Sequence, residues 1–278
     1  MKTPTPSNYQ QKKAFYRQLL TVYGRKSVIE ALKDQDLSCF RLHLAKSNKP
    51  STIISDMENL ARHRNVEVLY HDKLSLSRIS KNAKQDQGVC LDIRCPKHRD
   101  FLDFLTQLSS QQLSQPSSQS QPSSQQQKPT KKIRLLALDR ITNPQNLGMI
   151  IRSASAGNID GIIIPDQGCA RLDALVIKAS AGTLFRAPIL RCEQLEKALE
   201  EVQQTKASIV GLNSHATQTL ADFIEDEFTI YVLGNESEGL SETIANLCHQ
   251  NLRIPMRNHV ESLNVAVTAS LLAFRGML

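Results

Sequence analysis

Three polar stretches of this 278-residue chain hold side chains that could do chemistry together. The first, L-D-R-I-T-N-P-Q-N-L-G-M-I-I-R-S-A over residues 138–154, leaves a strand, turns at Asn143-Pro144 and enters a helix. Leu147, Ile150, Ile151 and Ala154 form its core stripe, while Gly148, Arg152 and Ser155 fall on another face. A guanidinium beside a residue without a side chain leaves room for something bulky. The plainer alternative is a surface arginine, with Asn146 as a local cap. The second stretch, Y-V-L-G-N-E-S-E-G-L-S over 231–241, takes an apolar strand into a loop with two carboxylates. In an open α/β sheet such loops line the ligand crevice. Gly234 and Gly239 would let backbone come close to a ligand there; a solvated turn is the alternative. The third stretch, 253–278, is a short strand, a turn and a helix apolar nearly all round. Val265, Val267, Leu271, Leu272 and Phe274 are interleaved with Ala266, Ala269, Ser270 and Ala273. Such a helix is expected to be buried on several sides. Glu261, Ser262 and Asn264 then stand where a helix N-terminus offers free N–H groups, and a capped core helix is the bland reading.

The elements around these stretches alternate strictly after Lys131. Strands are expected at 133–138, 161–165, 184–190, 208–212, 229–233 and 252–254, with helices at 146–156, 173–180, 193–204 and 242–247 between them. Short apolar strands between helices indicate a buried parallel sheet. No G-x-G-x-x-G follows a strand and no G-x-x-x-x-G-K-[ST] is present, which disfavours dinucleotide and P-loop enzymes. The first hundred residues also alternate. Asn8–Leu20 suits a helix or a loose arm, and Y-G-R-K-S-V-I-E-A-L (23–32) a glycine turn feeding a helix. Strands at 40–44, 65–70 and 88–93 and helices at 52–63 and 73–79 complete a small α/β sandwich. Between the halves, Ser109–Gln127 consists of eight Ser, eight Gln, two Pro and one Leu. With almost nothing to bury it is expected to be a disordered tether, its ends roughly 25 Å apart. The chain therefore divides into 1–108, a linker at 109–131, and 132–278.

Charge separates the same halves. Residues 1–108 hold 19 Lys+Arg against 11 Asp+Glu, a net +8; residues 128–278 hold 15 against 16, a net −1. A cationic module joined to a near-neutral one suggests a polyanion gripped by the first and worked on by the second. Hydrophobic residues make up 40%, and mean hydropathy is −0.31. No apolar run approaches the roughly 20 residues of a membrane span, so no membrane partner is expected. Residues 1–29 carry six bases and no acid, but lack the Arg and Ser richness of a transit peptide. The six cysteines form no C-x-x-C pair. That argues against zinc or a disulfide framework and for reduced thiols in a cytoplasmic compartment.

Taken in order, N-P-x-N-L-G-x-I-x-R-[ST]-A, L-G-x-E-x-x-G-L and I-P-M-x-x-x-x-x-S-L-N-V resemble the three motifs of the SpoU (TrmH) branch of SPOUT RNA methyltransferases. The likeness covers roughly residues 132–278. More loosely, the basic first half is similar to the RNA-binding domain of a bacterial subgroup that methylates a guanosine ribose in 23S ribosomal RNA. The resemblance implies a trefoil-knotted parallel-sheet domain, a homodimer, and S-adenosylmethionine as cofactor. Backbone groups at Leu212, Asn213, Leu233, Gly234, Ile254, Met256 and Leu263 would hold the cofactor. It places Arg152 at the reacting oxygen with Asn146, Glu236, Ser262 and Asn264 around it, and implies no metal. Asn143 stands where the family commonly has Asp, an exchange of one turn or cap residue for another. Transfer RNA as the substrate, or an RNA-binding protein of the same fold without catalysis, are the alternatives. His259 is expected to be a loop residue rather than a base.

Overall fold

The computed structural model describes residues 15–113 and 132–277, in two compact units. The first runs to Lys97 and includes Arg171–Arg186; the second comprises His98–Ala170 and Ala187–Leu278. In the first, β1 (Leu19–Tyr23), α1 (Arg25–Lys33), β2 (Ser38–Ala45), α2 (Thr52–His63), β3 (Glu67–His71), α3 (Lys73–Ser80) and β4 (Val89–Arg94) follow one another. The sheet order is β1-β4-β2-β3, with β4 antiparallel to both neighbours and β3 parallel to β2. Val22, Leu91 and Leu42 lie in register on one face and are buried. On the other face Leu76 of α3 packs with Tyr23, Ala45 and Cys90.

That second face also carries a polar run. Thr21 Oγ1 donates to Asp92 Oδ1 at 2.6 Å, Asp92 Oδ2 lies 3.0 Å from His43 Nε2, and His43 Nδ1 lies 3.0 Å from His71 Nε2. Burial, then the neighbouring His43, push His71 below the ordinary histidine range. Of the helix or arm expected at 8–20, residues 15–17 are helical and the end at 19–20 is corrected to strand. Residues 1–14 lie outside the described residues, and Leu19–Tyr23 is a strand paired with β4. Five residues of alternation are too few to stand out beside the polar stretch before them.

The second unit contains β5 (Arg99–Asp100), α4 (Phe101–Leu113), β6 (Ile133–Leu138), α5 (Pro144–Ala156) and β7 (Gly161–Pro165). An excursion with α6 (Ala174–Ala179) belongs to the first unit, and the second resumes with β8 (Ile189–Cys192). There follow α7 (Leu195–Gln203), β9 (Ser208–Leu212), β10 (Gln218–Thr219), β11 (Phe228–Leu233), α8 (Glu242–Leu247), β12 (Gln250–Arg253) and α9 (Val265–Phe274). All described pairings of its eight strands, in the order β10-β12-β9-β11-β6-β7-β8-β5, are parallel. Leu135, Ala137, Ile163, Ile209, Ile230 and Val232 form one core with Phe101, Leu105, Leu199 and Val202. The alternate residues Leu136, Leu138, Ile162 and Tyr231 are buried too, as the continuous apolar strands require.

The sequence boundaries shift in three places. Residues 98–113 belong to the second unit, because Phe101, Phe104 and Leu105 enter its core. The helix they start continues through Ser109 to Leu113, into the stretch expected as linker; the rest of that stretch lies outside the described residues. Arg171–Arg186 leaves the second unit for the first, where Arg186 Nη2 pairs with Asp36 at 3.1 Å. The strand expected at 184–190 begins only at Ile189, since Thr183–Phe185 is a 3-10 turn and Pro188 has no N–H to donate to a ladder.

One sheet edge gathers the sequence motifs. β6, β11, β9 and β12 are parallel neighbours, so Leu138, Leu233, Leu212 and Arg253 end them on the same side. From β12 the chain passes β9 and β11 to set α9 against α5. That contact is close: a Cβ on Gly157 would lie 2.4 Å from the Ala273 carbonyl oxygen. α9, expected to be buried on several sides, is covered on one side and open on another. Val265, Ala266, Ala269, Leu272 and Ala273 are buried, whereas Val267 is 44% and Leu271 45% exposed. At its far end Arg275 Nη1 donates to Tyr231 Oη at 3.1 Å, and Arg134 Nη1 to the Arg275 carbonyl at 2.8 Å.

Candidate active site

Asn143 caps α5, its Oδ1 accepting from Gln145 N at 2.8 Å, with Pro144 at the first helical position. The cap sets Asn146, three residues on, at the buried start of the helix. Asn146 Nδ2 donates to Glu236 Oε1, and Asn146 Oδ1 accepts from Asn264 Nδ2 at 3.1 Å. Asn264 Oδ1 in turn accepts from Ala266 N at 2.8 Å and caps α9. Each of the three stretches thus contributes one member to a single run. Both amides are used at both ends, which fixes their orientation. Glu236 remains exposed beyond its bond to Asn146, so its carboxylate can also meet a ligand.

The loop carrying Glu236 is a tight hairpin. Asn235 and Gly239 exchange backbone hydrogen bonds, both of 3.0 Å. Asn235 Oδ1 accepts from Ser237 N at 2.9 Å. A Cβ on Gly234 would lie 2.3 Å from the Gly239 carbonyl carbon, so glycine is required by the close return of the chain.

Arg152 and Ser262 are not part of the run. Arg152 stands exposed on α5, with no hydrogen bond or ion pair among the described residues. Ser262 is exposed in the segment before α9. Leu212 and Leu233 lie at the carboxyl ends of β9 and β11, with Asn213 and Gly234 just beyond them and Ile254 just beyond β12. Asn213 N is engaged by Leu252 O at 3.0 Å, and Leu233 O accepts from Asp139 N at 2.8 Å. Met256 and Leu263 are half-buried and outside any helix or strand, and their backbone groups make no hydrogen bond among the described residues. Half-buried backbone polar groups want partners, which fits a ligand held by main-chain atoms. His259 is exposed in a turn where it and Asn258 have left-handed φ of 60° and 57°. Cys169 donates to the Leu138 carbonyl at 3.4 Å, and burial pushes its thiol up to about 11, too high for a nucleophile. Sequence reasoning missed Asp139, Arg140, Asn235 and Glu238 as parts of the site's frame. A left-handed conformation at Arg140 leaves no mark in residue type.

Residues 133–274 match the model described as SpoU rRNA Methylase family, and residues 21–98 match that for RNA 2'-O ribose methyltransferase substrate binding. A TrmH family tRNA/rRNA methyltransferase of Staphylococcus epidermidis is 32% identical over 208 residues, covering 73% of this chain and 82% of the relative. The crystal structure of the SpoU methyltransferase AviRb from Streptomyces viridochromogenes with AdoMet superposes with TM-score 0.58 at 22% identity, covering 97% of this chain and 92% of that one. An AdoMet-bound rRNA methyltransferase from Sinorhizobium meliloti gives TM-score 0.58 at 21% identity, covering 98% and 92%. Strand order, the meeting of the three motif stretches and the two model matches agree: the chain belongs to the SpoU rRNA methylase family.

Proposed function

We propose that this chain moves a methyl group from S-adenosylmethionine to a ribose 2′-hydroxyl of RNA, and that the target is a guanosine of 23S ribosomal RNA. The observation that carries the reading is the run Glu236–Asn146–Asn264 at the carboxyl edge of a parallel sheet. Leu212, Asn213, Leu233, Gly234, Ile254, Met256 and Leu263 hold the cofactor, largely through backbone. The choice of RNA is supported by the +8 charge of residues 1–108 and by the substrate-binding match over 21–98. No helix among the described residues is long and apolar enough to cross a membrane. The six free cysteines support placing the reaction in the cytoplasm.

When bound, S-adenosylmethionine supplies a methyl already activated on a sulfonium. The chain's residues then need to align the oxygen and take its proton. A guanidinium stays protonated in proteins and is a poor base. Arg152 therefore acts by charge, favouring the alkoxide as it forms. Glu236, oriented by Asn146, receives the proton directly or through water, and Ser262 binds the ribose edge. Within one chain Arg152 is not bonded to this run. The apolar side of α9, with Leu220, Ile254 and Pro255, lines a concavity of about 570 Å³. A second copy of the chain covers it, and the homodimer brings Arg152 to the partner's crevice. Threading of the segment before α9 makes the trefoil knot. The test is Arg152→Ala. Methyl transfer should fall by roughly 10²–10³, with S-adenosylmethionine affinity by calorimetry near the parent's. Equal activity would remove Arg152 from the mechanism, and a parent that binds no S-adenosylmethionine would end the reading.

A further inference from the structure

The structure assigns a positioning role to Arg140: it holds the Gly234–Gly239 hairpin so that Glu236 stays against Asn146. The assignment rests on the methyl-transfer reading for its consequence, though not for its geometry. Arg140 follows β6 directly, with φ of 56°, a left-handed conformation that residues with a Cβ adopt at some cost. Glycine or asparagine would be the easy occupant, so a long cationic side chain there calls for a reason.

Its contacts supply one. Nη1 pairs with Glu238, and Nη2 donates to the Gly239 carbonyl at 3.1 Å. The left-handed turn also presents the Arg140 carbonyl to Asn235 Nδ2, which donates to it at 3.0 Å. One residue thereby grips both Asn235 and Glu238–Gly239, the two sides of a hairpin whose exposed tip carries Glu236. The preceding residue holds the exit: buried Asp139 accepts from Ser241 N at 2.6 Å through Oδ2, and its Oδ1 lies 3.4 Å from Arg140 Nε. Glu238 is 67% exposed, and an exposed ion pair alone stabilises little. The value of the pair lies in fixing direction. Glu236 has one hydrogen bond to set its carboxylate, and a hairpin free to swing would move it off the line between proton and ribose.

Arg140→Gly separates positioning from bulk stability. Glycine keeps the left-handed backbone without strain and removes the guanidinium. The melting temperature should match or exceed the parent's. Amide hydrogen exchange across 234–239 should quicken at least severalfold, and kcat should fall roughly 10–100-fold, the scale of a displaced catalytic group, with KM for S-adenosylmethionine near the parent's. Arg140→Lys should recover part of the exchange protection. The double variant Arg140→Glu with Glu238→Arg should restore more of kcat than Arg140→Glu alone keeps. Unchanged exchange across 234–239 in Arg140→Gly overturns the grip, whatever the RNA assay gives. Faster exchange with kcat within twofold of the parent overturns the positioning role. A parent that transfers no methyl, while exchange still quickens in the variant, upholds the grip and sinks the enzymatic reading instead.

Discussion

Asn146 is where the three motif stretches depend on one side chain, so its removal gives the sharpest test of the site. Asn146→Ala deletes both bonds at once. Glu236 loses its donor, and the Asn264 amide loses its acceptor at 3.1 Å. A hydrogen bond to a charged group contributes about 1.5–3 kcal/mol, and a neutral one about 0.5–1.5. In the proposed mechanism the bond to Glu236 bears on the reacting proton, so its loss alone predicts a fall in kcat of roughly 10- to 150-fold. The bond to Asn264 bears mainly on α9. Its loss predicts a drop in stability of about 1 kcal/mol, because Asn264 still caps Ala266.

Asn146→Asp makes the comparison stricter. The side chain keeps its shape and can still accept from Asn264, but it sets a carboxylate against that of Glu236. Stability should suffer less than in the alanine variant at the Asn264 side, while kcat falls at least as far. The assay is transfer of labelled methyl from S-adenosylmethionine to RNA from cells lacking the gene, with folding checked by circular dichroism. A folded Asn146→Ala protein with kcat within twofold of the parent would refute the argument that this amide orients Glu236.

Three further outcomes follow from packing and charge. Gly157→Ala should cost about 1–3 kcal/mol, since its methyl would meet the Ala273 carbonyl 2.4 Å away; an unchanged thermal midpoint would contradict the close α5–α9 contact. Leu271→Asp, on the uncovered side of α9, should give monomers by sedimentation velocity; a parent already monomeric at micromolar concentration removes the homodimer. The first unit should lose stability as pH falls below the ordinary histidine range near 6.5. His71 is pushed down by burial and by His43, with Lys46 acting the same way and Asp72 opposing, so below 6.5 the unfolded chain binds the proton first. The contribution is full above 6.5 and is lost as pH falls toward the lower folded value; His71→Gln should flatten that part of the urea-midpoint profile, and an unchanged profile would place its cause elsewhere.

The sheet strands were legible where they were short, apolar and bounded: 133–138, 161–165 and 208–212 are strands at those residues. The helix at 52–63 was likewise readable from its period, and that at 242–247 from the alternation of strands and helices. α4 was hidden because its apolar positions Phe101, Phe104 and Leu105 run straight into Ser and Gln, and composition then outweighed periodicity. α9 misled in the opposite direction, since an all-apolar helix can be covered by its own chain or by another. Within the site, Asn146, Glu236 and Asn264 were marked by motif and meet in space. Arg152 was marked equally well but makes no hydrogen bond or ion pair with them among the described residues. Arg140 was inside the first stretch throughout. Its role depends on a backbone dihedral and on a partner 98 residues away.

These contacts make α9 part of the site rather than a wall behind it. Its N-terminal cap, Asn264, is also the far end of the run that reaches Glu236. Its C-terminal end is held by Arg275 to Tyr231 Oη and to the Phe223 carbonyl, and by Arg134 to the Arg275 carbonyl. Burial, then the Glu225 hydrogen bond, push the Tyr231 phenol far above its ordinary range, so it stays a neutral hydroxyl across physiological pH. The helix therefore cannot slide along α5 without breaking bonds at both ends, and Gly157 allows it no slack between them. A shift that moved Asn264 away from Asn146 would leave the amide that holds Glu236 without its second bond. Seating of the last helix against α5 and closure of the Glu236–Asn146–Asn264 run thus share one residue, Asn264, which is why residues so distant in sequence meet at one sheet edge.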